Sequence, residues 1–368
     1  MKKILIVFVL ISSFFFSGSY YETVEKQLEI AEKNNFSDSL SPETTDLLDK
    51  MEIEGLSSEK LVSFNINDIL KLFAEIFSAK IKEPFKAIFS ITSCAIVCSL
   101  IQNFCEKFSQ TQKTINVVTA LSASGVFLLP IKNILDYSSK VIEESSDFML
   151  AFIPVYSSAI TATGNFSSAL GYRTLMLGTV TIISRIASEI IAPLISIYIA
   201  MCVAASVSDI DIGELSKSLK NFAVWVLTAS ATVFSGILGL GTLVSSQGNI
   251  AFLKTAKLFV GTTVPIVGGT VSEALTTIKS CLEITKNILG SYGVVVIAVI
   301  FLPAIVSLLS WKICLSVSSI ISGILENKSL SALLSSASSV MGIMLALVVI
   351  TAVMLIFSVS IMLLTGGG

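Results

Sequence analysis

Beyond Pro84 the chain carries apolar runs long enough to cross a bilayer, and no other feature constrains its fold as tightly. A hydrocarbon core of about 30 Å takes about 20 apolar residues as a helix. Runs of that order fall at roughly 86 to 105, 115 to 135, 148 to 163, 174 to 190, 190 to 208, 222 to 245, 291 to 311 and 338 to 364. Inside lipid the backbone must satisfy its own polar groups, which a helix does within one segment. Of the 368 residues 53% are hydrophobic and 14% charged, and the mean hydropathy is +0.86, too little charge to cover a water-soluble surface. The expected fold is all-α, a polytopic helical membrane protein. The pair of runs from 174 to 208 is interrupted by Arg185, Glu189 and Pro193, and one long kinked helix is the alternative there.

Charge divides the chain. Lys2 and Lys3, the apolar run Ile4 to Phe16 and the small residues Ser17 to Ser19 have the order of an export signal, so 1–19 is expected to be a signal peptide, cleaved or retained as an anchor. Residues 20–84 follow with fourteen acids against seven lysines. They read as an exported acidic helical region, in which Ser41-Pro42-Glu43 marks a helix start. Residues 85–368 form the multi-span region, with about seven or eight spans. If 20–84 lies outside, alternating spans put Lys107, Lys113, Arg173, Lys217, Lys220, Lys312 and Lys328 in cytoplasmic loops. The acidic loop around Asp136, Glu143, Glu144 and Asp147 then falls outside, in keeping with the positive-inside tendency.

The stretch near 250–290 departs from that tendency, because Lys254, Lys257, Lys279 and Lys286 fall on the outer side of the same count. Gly261, Pro265, Gly268 and Gly269 interrupt its apolar run, which points to a broken or re-entrant segment that must be buried in protein or line a wet cavity. Lys279, Glu283 and Lys286 follow at four- and three-residue spacing on one helix face. That face turns either toward a pore or partner or toward the lipid surface. These nine residues are the candidate pore or partner segment.

Much chemistry is excluded. The chain has no histidine, which removes serine–histidine triads, HExxH zinc sites and most catalytic metal sites. Asp209 and Asp211 sit together rather than in two spans, so an intramembrane aspartyl pair is missing. Gly236, Gly239 and Gly241 have no following Gly-Lys-Ser/Thr and suit close helix packing instead. The six cysteines all lie after Pro84; Cys94 and Cys98 share a helix face but lack a histidine to complete a metal site. Arg185 and Glu189, four apart, either neutralise each other at a span end or mark a polar path. No catalytic residue, cofactor, metal or nucleic acid is implied, and an enzyme is not expected.

Several stretches resemble one family. They are Ala151-Phe152-Ile153-Pro154 before a Ser/Ala/Gly-rich turn, Lys254-Thr255-Ala256-Lys257 continuing to Pro265-Ile266-Val267-Gly268, Thr285-Lys286-Asn287 to Gly290 and Gly293-Val294, and Leu302-Pro303-Ala304-Ile305. With the order of exported head, multi-span body and interrupted segment, they resemble the stage III sporulation protein AE family of endospore-forming bacteria. That resemblance implies a non-catalytic membrane subunit of a channel or secretion-like complex linking mother cell and forespore. It would be multi-pass in the mother-cell-derived membrane. Its partners would be the other stage III sporulation A proteins and, through them, forespore protein Q, with a homo-oligomer left open. A stand-alone secondary transporter with a discontinuous-helix substrate site is the other reading. Against it stand the lack of a convincing internal repeat and the scarcity of acids within spans to carry a coupling proton. Either way the expressed chain is expected to stay with the vesicle pellet in alkaline carbonate, and release as a soluble globule would refute the helical-membrane reading.

Overall fold

The computed structural model describes residues 39–51, 53, 66–104, 109–162, 186–207, 221–226 and 268–365, with isolated positions between 169 and 232. No strand occurs among them. The helices are α1 (Pro42–Lys50), α2 (Ile66–Lys80), α3 (Lys82–Phe104), α4 (Ser109–Ala162), α5 (Ala192–Val207), α6 (Gly268–Ile324) and α7 (Lys328–Thr365). The protein is an all-α, polytopic membrane protein. Four stretches are long and apolar enough to cross a bilayer: Leu70–Ile101, Val117–Thr161, Leu289–Ile324 and Lys328–Ser360. Residues 1–19, the expected signal peptide, lie outside the described residues, as do 20–38, 52 and 54–65 of the region after them.

Helix α1 begins at the Ser-Pro-Glu sequence. Ser41 caps it by accepting from the Thr44 N–H at 3.3 Å, Pro42 supplies a first-turn residue with no N–H to satisfy, and Glu43 complements the dipole. Near its end Lys50 pairs with Asp46 at 2.8 Å, one turn back, and that hydrogen bond and charge raise the ammonium above its ordinary pKa. Helices α2 and α3 are joined by Ile81 alone. The Ile81 N–H reaches the Phe77 carbonyl and the Phe85 N–H reaches the Ile81 carbonyl, both at 3.0 Å. Pro84 falls in the first turn of α3, where its missing N–H costs little, so the chain runs past it as helix.

The expected acidic loop between the runs at 115–135 and 148–163 is instead the middle of one helix, α4, of 54 residues. Nothing between Asp136 and Asp147 breaks a helix, since neither glycine nor proline occurs there. Its serines bond back to the helix itself: Ser138 Oγ donates to the Ile134 carbonyl at 2.7 Å, and Ser145 and Ser146 to the Ile142 carbonyl at 2.7 and 2.9 Å. Asp136, Lys140, Glu143 and Asp147 remain exposed while Val141 and Ile142 are buried, which makes this stretch amphipathic rather than irregular. Pro130 and Pro154 are both accommodated within α4, and helix continues to Ala162, in keeping with the run expected over 148 to 163. At 1.5 Å per residue α4 is about 80 Å long, more than twice the hydrocarbon thickness. Ahead of α5, Ile186–Ile191 forms a π-helical turn that runs directly into it, with Pro193 in the first α-helical turn. The chain is thus continuous helix across the boundary expected near residue 190, the wider turn absorbing the hydrogen bond that proline cannot make, while most of 174–185 lies outside the described residues.

Helix α6 is the axis of the bundle. It packs against α1, α2, α3, α4 and α7, and 72% of its apolar window is buried, against 22% for Leu70–Ile101. It meets α4 tightly at Gly293, where an added Cβ would stand 2.6 Å from Phe152 Cζ. The Phe148, Phe152 and Tyr156 rings stack in sequence along the same stretch of α4. On α3, by contrast, Phe85, Phe89, Val97 and Leu100 are each more than half exposed, a surface suited to lipid.

Helices α6 and α7 form an antiparallel hairpin, closed by a Schellman turn. The Asn327 N–H bonds to the Ser322 carbonyl at 3.0 Å and the Glu326 N–H to the Gly323 carbonyl at 3.1 Å. Asn327 then caps α7, its Oδ1 accepting from the Leu330 N–H at 3.2 Å. The turn forces Glu326 to φ 60°, a left-handed conformation that costs an L-residue with a Cβ. Glu326 is exposed, so Glu326→Gly is expected to raise stability by about 1 kcal/mol in detergent unfolding titrations. An unchanged or lower midpoint would contradict this account of the turn.

Candidate functional site

Two polar places stand out in an otherwise apolar bundle. The first is a junction that docks α1 onto α2 and α4. Glu144, in the acidic middle of α4, uses one oxygen, Oε1, to accept both the Ser41 N–H and the Thr44 hydroxyl, each at 2.7 Å. The carboxylate therefore sits at the positive end of α1 and satisfies a donor there. One residue into α1, Glu43 accepts Lys80 Nζ and the Tyr137 hydroxyl, each at 2.9 Å. Lys80 Nζ also lies 5.4 Å from the Tyr137 ring centroid, a cation–π contact. Two glutamates, one lysine and one tyrosine thus tie three helices, and below them Leu47, Leu48 and Ile53 are buried in the common core. The junction brings the acidic segment 136–147 and the acidic region before Pro84 into one polar layer.

The second place is on the α6–α7 hairpin. Serines form its seam: Ser316 Oγ and Ser338 Oγ are 2.7 Å apart, Ser319 Oγ donates to the Ser331 carbonyl at 2.8 Å, and Ser331 Oγ to the Ser319 carbonyl at 2.9 Å. Small residues allow this approach, and in lipid each such bond contributes on the order of 0.6 kcal/mol. A cleft of about 470 Å³ opens beside the seam, lined on one side by Lys312 of α6. Lys312 is the only charged residue between Lys286 and Glu326. Charge counting places it in a cytoplasmic loop; it stands instead within α6, which continues twelve residues past it to Ile324. The reason is that the residues from Ile313 to Ile324 are themselves helix-compatible and the breaking turn comes only at Leu325–Asn327. Two residues on, the Cys314 thiol donates to the Pro84 carbonyl at 2.8 Å, so Lys312 lies near the level of the charged residues around Pro84.

The candidate segment from the sequence is only partly visible. Lys254, Lys257, Gly261 and Pro265 lie outside the described residues, as does Arg185. Gly268 and Gly269 open α6, whose helical backbone then carries Lys279, Glu283 and Lys286 without interruption into the run beginning at Leu289. Glu189 is exposed on the π-helical turn. Cys94, Cys98 and Cys314 are free thiols, and no cluster of three His, Cys, Asp or Glu side chains occurs among the described residues. Neither polar place was assembled by sequence reasoning. A lone lysine between two long uncharged stretches is the signal that marks Lys312. For the junction the sequence offers only the acids, with nothing to pair Glu144 with Ser41 across 103 positions.

Comparison with known proteins gives a match between residues 50–366 and the family described as Stage III sporulation protein AE (spore_III_AE). A curated relative, Stage III sporulation protein AE of Bacillus subtilis (strain 168), is 23% identical over 249 residues, which is 66% of this chain and 62% of the relative. The aligned part is thus less than two thirds of that relative's length. No solved structure matches the chain.

Removing the shared acceptor tests the junction. Glu144→Ala is expected to cost on the order of 1–3 kcal/mol locally and to speed limited proteolysis within residues 39–51. Unchanged cleavage there would show that apolar packing alone holds α1.

Proposed function

This chain belongs to the stage III sporulation protein AE family, and from that premise we propose that it is a membrane subunit of a channel or secretion-like complex linking mother cell and forespore. The observation that carries the reading is the coincidence of a sporulation family over residues 50–366 with four helices long enough to cross a membrane. A sporulation role and a multi-pass membrane location follow from these two findings. The finer assignment places it in the mother-cell-derived membrane, with the acidic region before Pro84 facing the space between the membranes. Its partners there are the other stage III sporulation A proteins and, through them, forespore protein Q.

The described structure supports a structural or conduit role over a catalytic one. Its polar side chains are spent on holding helices together, as at Glu43, Lys80, Tyr137 and Glu144, and along the serine seam of α6 and α7. The docked α1 offers a defined surface next to an acidic helix middle, which suits a partner between the membranes. The segment from Lys254 to Lys286 remains the proposed pore or partner region, with α6 as the rigid rod that carries its second half.

Replacing Lys254 and Lys257 together by alanine is expected to impair forespore development while leaving the protein's abundance unchanged in immunoblots of sporulating cells. Normal spore yields from that double variant would remove these two residues from the site. Uptake of a solute by the purified chain alone in liposomes would favour the stand-alone transporter instead.

A further inference from the structure

From the cleft beside Lys312 we infer a binding site for one anionic phospholipid, its phosphodiester held by the Lys312 ammonium and nearby serine hydroxyls and an acyl chain lying along α7. The inference goes beyond the proposed function and does not rest on it. A cation in an apolar helix is costly unless something neutralises it. Lys312 Nζ has no ion pair or hydrogen bond among the described residues, and none of the residues after Lys328 is charged. The neutralising group therefore comes from outside this pair of helices.

The walls of the cleft say what kind of group fits. Across from Lys312, Ser335 and Ser339 of α7 present hydroxyls that make no hydrogen bond among the described residues, in contrast to Ser316 and Ser338, which bond each other. One turn further along α7 the lining becomes Gly342, Ile343 and Ala346, and Val224 closes the apolar side. The lysine side chain lies along Gly342, where a Cβ would stand 3.5 Å from Lys312 Cε and Nζ, an ordinary van der Waals contact. Polarity falls abruptly at this level: residues 313–340 include ten serines, whereas 341–365 include two. A free phosphate matches the polar half of such a cleft and leaves the apolar half uncovered. A phospholipid covers both, with its charge at the polar end. Basic pockets between helices near a headgroup layer bind anionic lipids by the same attraction. The Cys314–Pro84 contact, beside Lys82 and Glu83, sets Lys312 at a level where the chain is already polar.

The test uses the full chain purified in detergent and native mass spectrometry with phosphatidylglycerol, phosphatidylcholine or inorganic phosphate as probes. One phosphatidylglycerol is expected to bind per chain in preference to phosphatidylcholine, and a millimolar excess of inorganic phosphate should not displace it. Lys312→Gln is expected to weaken phosphatidylglycerol binding about fivefold, while Lys312→Arg keeps it. Gly342→Leu, which fills the cleft and leaves the charge in place, should weaken it as well. Equal binding of the two lipids, unchanged binding by both Lys312→Gln and Gly342→Leu, or displacement by inorganic phosphate would each overturn the assignment.

Discussion

Everything in this bundle depends on the need to keep backbone and side-chain polar groups satisfied away from water. Long uninterrupted helices meet that need for the backbone. Many serines meet it for themselves, Ser138, Ser145, Ser146, Ser307 and Ser322 bonding to carbonyls three or four residues earlier in the same helix, whereas the buried hydroxyls of Ser310, Ser318 and Ser358 take no partner among the described residues. Hydroxyls bonded in this way stay small and inward, so the helices that carry them pack closely. The α6–α7 seam extends the rule between helices, where Ser319 and Ser331 exchange bonds with each other's carbonyls.

With the backbone so occupied, the few charges acquire weight. Most face outward on α4 or gather at the junction of α1, α2 and α4, where both oxygens of Glu43 and Oε1 of Glu144 take donors. That arrangement turns an acidic stretch into an attachment point. Membership of a sporulation family gives the attachment a setting, and the two-membrane assembly proposed above would use both a lipid-embedded rod and a water-facing dock. Helix α6 serves as the rod, its apolar window within Leu289–Ile324 largely buried, and it touches five of the other helices.

Much of this was legible beforehand, and the failures have definite causes. Apolar runs located the helices, and Ser41-Pro42-Glu43 located the start of α1, because capping is a local matter of three or four residues. The acidic stretch at 136–147 was misread as a loop because hydropathy measures transfer to lipid, not helix propensity, and Glu, Lys and Ile are all compatible with helix. Lys312 was misread for a related reason, a charge having been taken as the end of a helix that in fact breaks only at the Glu326 turn. Of the candidate segment, Gly268 and Gly269 are seen to open α6, and the residues before them fall outside the described part.

By itself, then, the sequence determined the solvent and hence the class: so many apolar residues with so few charges admit helices in a membrane. It also pointed to the family, through short stretches that survive without any knowledge of contacts. Only the tertiary structure decided which polar groups meet, because Ser41 and Glu144, Glu43 and Tyr137, or Cys314 and Pro84 are joined across roughly a hundred or more positions. Local propensities carry no information over such separations. Partner choice is set instead by which helix faces pack, and that is a property of the whole bundle.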